Sequence, residues 1–377
     1  MLNKINVKDI VMNQNGETLN LLKQLEALGV PGIDCTVYHK GREVFRYRSG
    51  YSDEAKTKPV DGTERYNIYS CSKLITCTAA LQLVEKDIMR LDDAVYEYLP
   101  EFHNMKKLVD GKLEDVRNTM TLRHLFTMTA GFTYNCGSEN LKRGIEETKG
   151  TMPTREAMKY LACDPLSFEP GESWGYSLCH DVLAAVVEVA SGKRFSRYVK
   201  ENIFDRVGMK RSTFLLPADE LPEIAAQYRF NGESKDYIPC GPEIQTFKLG
   251  SEYESGGAGC ISTVDDYVAF MEALRTGELL LKRDTVARMT IPQISKKNDA
   301  AYTKFGTSFS EYTYGLGVRC PVINGNERDY GWGGAAGSFL AICPADEVSI
   351  FYAQHVLGSP AQLRRVELRK TVMKDLQ

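Results

Sequence analysis

Three short stretches of this sequence carry side chains whose types and spacing could perform acyl-transfer chemistry, and a fourth imitates one. Ser70-Cys71-Ser72-Lys73 sets a hydroxyl and an amine at positions i and i+3. The run SCSKLITCTAALQLVEK, 70–86, reads as a helix that begins at Ser70, so the amine sits one turn above the hydroxyl. At a helix start, the positive dipole end and the free backbone N–H groups favour a developing alkoxide. Read alone, the tetrad is also what an N-cap serine and a solvated lysine would give. Inside so apolar a helix, however, a solvated lysine is poorly placed, and burial lowers an amine's proton affinity toward that of a general base.

Tyr176-Ser177-Leu178 stands at the mouth of the apolar stretch LCHDVLAAVVEVAS, and as one of 20 tyrosines Tyr176 gains interest only in company. Trp332-Gly333-Gly334-Ala335 precedes a terminal hairpin. Its glycines fit an ordinary turn, or a strand edge that lets a substrate lie close with a backbone N–H free for an oxyanion. The imitation is Gly171-Glu172-Ser173-Trp174-Gly175, a G-x-S-x-G pattern with His355 far downstream. A nucleophile elbow needs an apolar strand before its serine and a helix directly after it, but Pro170 precedes and Gly175-Tyr176 intervene. Arg275-Thr276-Gly277, which resembles a K-T-G motif, closes the amphipathic stretch YVAFMEALRTG and reads as a helix C-terminus.

The surrounding elements must bring these stretches together. Residues 17–28 repeat leucine on one helix face, and IDCTVYHK and EVFRYRSG read as strands joined at Gly41-Arg42. The middle third, with TLRHLFTM, TREAMKYLA and LCHDVLAAVVEVAS, is expected to be helix and loop. Ser262 and Thr263 ahead of Asp265 and Asp266 mark another helix start. The end of the chain reads as strands in YTYGLGVRC, DYGWGGAAG, FLAICP and VSIFYAQH. The fold class expected is α+β, with an antiparallel sheet, a helical lobe, and a cleft where they meet.

Composition excludes several classes. With 377 residues, 43% hydrophobic and 26% charged, the chain has ample material for a core. A net charge of −3 without basic blocks gives no reason to expect nucleic acid. No apolar run is long enough to span a membrane, and the first thirty residues hold no secretory h-region, so a cytoplasmic location is expected. The ten cysteines show no C-x-x-C pair and no zinc-ligand spacing with histidine, and are expected to be buried free thiols with no metal.

Taken in order, the three stretches resemble the serine β-lactamase and penicillin-binding protein superfamily. Within it they are similar to the class C β-lactamase-like branch, which includes family eight carboxylesterases and D-amino-acid peptidases. Further text of that kind is RLDDAVYEYLPEF, MTLRHLFTMTAGF, FEPGESWGYS, GGAGCISTVDDYVAF and YGLGV. The resemblance implies a β-lactamase/transpeptidase-like fold with a discontinuous sheet domain, 1–78 and 186–377, and a helical domain, 79–185. It implies that Ser70 is the acylated nucleophile, Lys73 its proton partner and Tyr176 the general base. Trp332-Gly333-Gly334 would replace the K-T-G strand as a substrate-binding edge, and the N–H groups of Ser70 and Ala335 would form the oxyanion hole.

Two departures shape the expected activity. Leu178 stands where an Asn would bind a peptide-like carbonyl, and Trp332 where a Lys would anchor a carboxylate. The expectation is an esterase-like serine hydrolase acting on a small-molecule ester, amide or lactam, without a cofactor and with little or no β-lactamase activity. The alternatives are a D-amino-acid peptidase or acyltransferase, a β-lactamase proper, and a non-catalytic acyl-binding sensor. Ser173→Ala is expected to keep substantial ester-cleaving activity and Tyr176→Phe to lose most of it; steady-state rates on a p-nitrophenyl ester check this.

Overall fold

The computed structural model describes residue 12 and residues 16–244, 247–305, 311–323, 325 and 328–377. Seven antiparallel strands form its central sheet: β1 (Gly32–His39), β2 (Arg42–Gly50), β3 (Tyr312–Tyr314), β4 (Arg319–Pro321), β5 (Tyr330–Gly333), β6 (Phe339–Cys343) and β7 (Val348–Gln354). Their spatial order is β2-β1-β7-β6-β5-β4-β3. The early hairpin is thus zipped onto the last strand, from Ile33 opposite Gln354 to His39 opposite Val348. The β1–β2 turn is Lys40-Gly41, with φ of 52° and 77°, one residue before the expected place. A two-residue hairpin needs left-handed backbone at both central positions, which Gly supplies freely and Lys40 tolerates at some cost.

Six helices position the site: α1 (Glu17–Ala27), α2 (Ser72–Glu85), α3 (Cys179–Ser191), α4 (Val264–Thr276), α5 (Lys296–Phe305) and α6 (Leu368–Asp375). On one side of the sheet, Leu21, Leu22 and Leu25 of α1 and Leu368 and Val372 of α6 share a core with Ile350 and Tyr352. On the other, α2, α3 and α4 pack Leu74, Leu183 and Phe270 into a larger core with Phe351 and Ala353. The opposite faces of β7 therefore serve both layers, the period-2 alternation of a strand buried on two sides.

Helix α2 has no solvated face, since every residue from Ser72 to Leu83 is buried. Its polar side chains must find partners inside. Thr76 Oγ1 donates to Gly256 O at 2.7 Å, and Ser72 Oγ accepts from Cys260 N–H at 2.9 Å, so the 255–260 loop is fastened to the helix. Helix α4 starts as expected, with Thr263 accepting from Asp266 N–H at 3.1 Å, and ends at Gly277 in left-handed backbone, φ 65°. Arg275 is paired with Glu272 there, so Arg275-Thr276-Gly277 terminates a helix.

A hairpin, Lys106–Val109 with Lys112–Asp115, precedes the stretch expected to be mostly helix and loop, at a place where no strand was read. Its strands bury no face, as Leu108 and Leu113 are 50% and 64% exposed, so no alternation of apolar and polar residues announced it. All ten cysteines are free; eight are buried, but Cys163 is exposed and Cys240 half-buried, against the expectation that all would be interior. No described helix is long and apolar enough to cross a membrane.

The far edge of the sheet is tied to α6 by a buried charge cluster. Asp329 is fully buried, pairs with Arg319, lies 2.7 Å from Arg369 Nε of α6 and accepts from Tyr312 Oη at 2.6 Å. Two guanidinium groups lose their counter-charge if it goes. Asp329→Asn is expected to destabilise the protein by about 3–5 kcal/mol, measured as the shift in urea unfolding.

Candidate active site

Ser70 does not open the α-helix, as its sequence suggested, but lies in a single 3₁₀ turn, Tyr69–Cys71, just ahead of α2. Tyr69 has φ of 46°, left-handed backbone that costs a bulky residue roughly 1–3 kcal/mol. The conformation is held from two sides: Tyr69 Oη donates to Gln227 Oε1 at 2.6 Å, and Ser72 Oγ donates to Tyr69 O at 2.5 Å. The turn leaves Ser70 7% exposed while Lys73, one turn on, is fully buried.

Around Ser70 the structure brings together Lys73, Tyr176 and Trp332. Tyr176 Oη lies 2.5 Å from Ser70 Oγ, and the Trp332 indole N–H donates to Tyr176 Oη at 3.3 Å. Lys73 Nζ donates to Ser70 Oγ at 3.3 Å, Gly257 O at 2.7 Å and Tyr134 Oη at 3.1 Å. It also lies 4.7 Å from the centre of the Tyr176 ring. The serine oxygen thus has a phenol and an amine within proton-transfer reach.

Tyr134 was not singled out by sequence, because GFTYNCG is a loop with no periodicity and its tyrosine meets Lys73 across 61 residues. The nearest sequence signal was the family-like stretch MTLRHLFTMTAGF, which ends at Phe132. Burial, then the neighbouring Tyr176 and Asp181, push the Tyr134 phenol well above its ordinary range, so it stays protonated. The rings form a shelf: Tyr176 stacks on Trp332 at 5.7 Å and on Phe305 of α5 at 4.8 Å, with Tyr134 tilted at 5.2 Å.

Strand β5 reaches the serine turn through its glycines. A Cβ on Gly334 would stand 2.1 Å from Ser338 Oγ and 2.3 Å from Ile68 O, two residues before Ser70. Ser338 Oγ donates to Ile68 O at 3.0 Å and contacts Cys71 Sγ at 3.3 Å, stapling the strand end to the turn. Arg365 Nη1 donates to Gly334 O at 2.9 Å, and burial pulls that guanidinium's pKa down to about 10. Gly333 is half-buried beside Arg365, and half-buried Ala335 has its carbonyl held by Gln362 Nε2 at 2.6 Å.

Ser173 is not joined to a histidine. No strand precedes it, and its residue belongs to the irregular segment before α3 whose neighbour Trp174 is buried at 5% exposure under Tyr302 and Tyr314. His355 is spent elsewhere, accepting from Asn67 N–H at 3.3 Å and hydrogen-bonded to Ala225 O at 2.8 Å. Leu178 is buried at the entry to α3 and offers the site no amide. Among the described residues no group of three or more His, Cys, Asp or Glu could hold a metal ion. Because Gly334 meets main chain, Gly334→Ala is expected to lower ester turnover at least about tenfold, a loss of roughly 1.4 kcal/mol in transition-state stabilisation; kcat/KM on a p-nitrophenyl ester measures it.

Curated relatives match most of the chain. The acyltransferase calJ of Penicillium decumbens is 27% identical over 358 residues, covering 88% of this chain and 85% of that protein. The esterase EstB of Burkholderia gladioli is 30% identical over 265 residues, 65% of each chain. Among solved structures, EstCE1, a hydrolase with promiscuous acyltransferase activity, superposes with a TM-score of 0.75 at 22% identity, covering 95% of this chain and 99% of that one. The fold is therefore that of the β-lactamase/transpeptidase-like proteins. Residues 20–371 match the Beta-lactamase family, and the chain belongs to it.

Proposed function

We propose that this protein is a serine hydrolase that cleaves ester or amide bonds of small molecules through an acyl-Ser70 intermediate. The observation that carries the reading is the approach of Tyr176 Oη to Ser70 Oγ, 2.5 Å, with Lys73 Nζ 3.3 Å from the same oxygen. In acylation, Ser70 Oγ attacks the carbonyl carbon and its proton passes to the Lys73/Tyr176 pair. The carbonyl oxygen becomes an oxyanion facing the N–H groups of Ser70 and Ala335. When the tetrahedral centre collapses, the leaving alcohol or amine takes that proton from Tyr176. Water then attacks the acyl carbon, and the acid and free Ser70 are released.

Trp332 fits this role without a cation. Its indole N–H, 3.3 Å from Tyr176 Oη, stabilises negative charge on the phenol as the bond strengthens. It cannot neutralise a substrate carboxylate as a lysine would, and buried Leu178 cannot hydrogen-bond an amide. Both features favour neutral esters over β-lactams or D-amino-acid peptides. A second outcome, transfer of the acyl group to an alcohol, uses the same intermediate and is supported by the kinship with the acyltransferase calJ. The aromatic shelf of Tyr176, Phe305 and Trp332 gives an apolar alcohol a surface to bind in place of water.

Labelling with a fluorophosphonate followed by peptide mass spectrometry tests the assignment. The adduct is expected on Ser70 and absent in Ser70→Ala, whose esterase rate falls by about 10³ or more. An adduct on Ser173, or labelling that survives Ser70→Ala, refutes it. Acylation that stops at one equivalent with no steady-state release would identify an acyl-binding sensor instead.

A further inference from the structure

Lys73 Nζ donates to the neutral oxygens of Ser70, Tyr134 and Gly257, and a carboxylate lies close behind them. Asp181, in the first turn of α3, has no solvent exposure. Its Oδ1 accepts from Tyr253 Oη at 3.0 Å and Ser255 Oγ at 2.6 Å. Ser255 Oγ itself accepts from Ala258 N–H at 3.0 Å, which leaves its proton for Asp181. Two hydroxyl donors on one oxygen are the arrangement of an ionised carboxylate.

Oδ2 makes no hydrogen bond. It faces the bare Cα of Gly257: a Cβ there would fall 2.5 Å from Asp181 Oδ2, 3.0 Å from Tyr134 Oη and 3.3 Å from Lys73 Nζ. Carboxylate, phenol and amine therefore converge on one point that only glycine leaves open. Burial holds the pKa of Asp181 above its ordinary value, with Ser255, Lys73 and Tyr253 opposing the rise.

We propose that Asp181 is the buried counter-charge of this site, a carboxylate held beside the Lys73 amine at the Gly257 gap that sets the pH at which Ser70 is activated. It touches no reacting atom and is a positioning residue. The inference rests on the acyl-Ser70 reading.

The other ionisable groups around Asp181 are Lys73 from α2, Tyr134 and Cys136 from the loop before the helix Glu139–Glu147, Tyr253, and Cys179 and His180 of α3. Burial holds these phenols and thiols protonated and His180 uncharged, so none of them adds a charge beside the carboxylate. Arg365, bonded to Gly334 O beside β5, is the guanidinium that interacts with Tyr176. A buried negative charge opposes the loss of a proton from the groups around it, and removing it eases that loss, so the activity profile moves to lower pH.

Asp181→Asn keeps an acceptor for Tyr253 and Ser255 while removing the charge. With kcat/KM for a p-nitrophenyl ester followed across about pH 5–9, the acid limb is expected to fall by roughly one to two pH units. Fluorophosphonate labelling of Ser70 is measured on the same samples. An unmoved limb with Ser70 still labelled overturns the role of Asp181, whereas no Ser70 adduct in the wild type overturns the nucleophile assignment instead. If Asp181→Asn does not fold, Ser255→Ala replaces it. Loss of that donor weakens the carboxylate's ionisation and is expected to shift the limb the same way by a smaller amount, and no shift overturns the proposal.

Discussion

The site depends on keeping the Lys73 amine inside a helix that has no solvated face. An ammonium moved from water into a protein interior loses several kcal/mol of solvation unless polar atoms replace the water. Helix α2 cannot supply them, since its own carbonyls are spent on the helix ladder. They arrive from elsewhere in the chain: Ser70 from the preceding turn, Tyr134 from a loop, and the Gly257 carbonyl from the segment that Ser72 and Thr76 fasten to the helix. Ser72, Lys73 and Thr76 thus form one polar stripe on a buried helix, with each member answered by a different neighbour. Tyr267 Oη adds a bond to Cys71 O at 2.8 Å from α4.

That requirement explains why the serine turn is so constrained. Tyr69 sits in a backbone region that a bulky residue avoids, and its ring is fully buried. The surrounding contacts over-determine it, which allows Ser70 to face the shelf of Tyr176 and Trp332 while Lys73 points into the core. Strand β5 completes the enclosure because Gly334 permits its main chain to lie against Ile68, where any side chain would collide. Ser338, Gln362 and Arg365 then hold the strand end by three hydrogen bonds to main-chain oxygens. The glycines that weaken a strand as a packing element let the main chain at its end lie against the serine turn.

Much of the fold was legible because each element sorts its own surface. The leucine face of α1, the Thr263 cap of α4 and the apolar runs of β6 and β7 are local patterns, and all four elements occur where they were read. Local patterns misled where no surface was being sorted. The exposed hairpin at Lys106–Asp115 has no buried face, and the 3₁₀ turn at Ser70 exists because of contacts made by Tyr69 with Gln227, far along the chain. The G-x-S-x-G pattern at Ser173 shows the converse, a correct string without the strand and helix that give it meaning.

By itself, the sequence determined the chemistry on offer: a serine and a lysine one turn apart, a tyrosine at a helix mouth, and a glycine strand led by tryptophan instead of lysine. These are properties of residue type and of separations within one element, which backbone geometry converts directly into direction. Only the tertiary structure decided which atoms share the space around Ser70. Tyr176 reaches it across 106 residues and Trp332 reaches Tyr176 across 156, while Tyr134 and Gly257 meet Lys73 across 61 and 184. No periodicity spans such distances, because those contacts are selected by the packing of whole layers and by the need to solvate one buried amine.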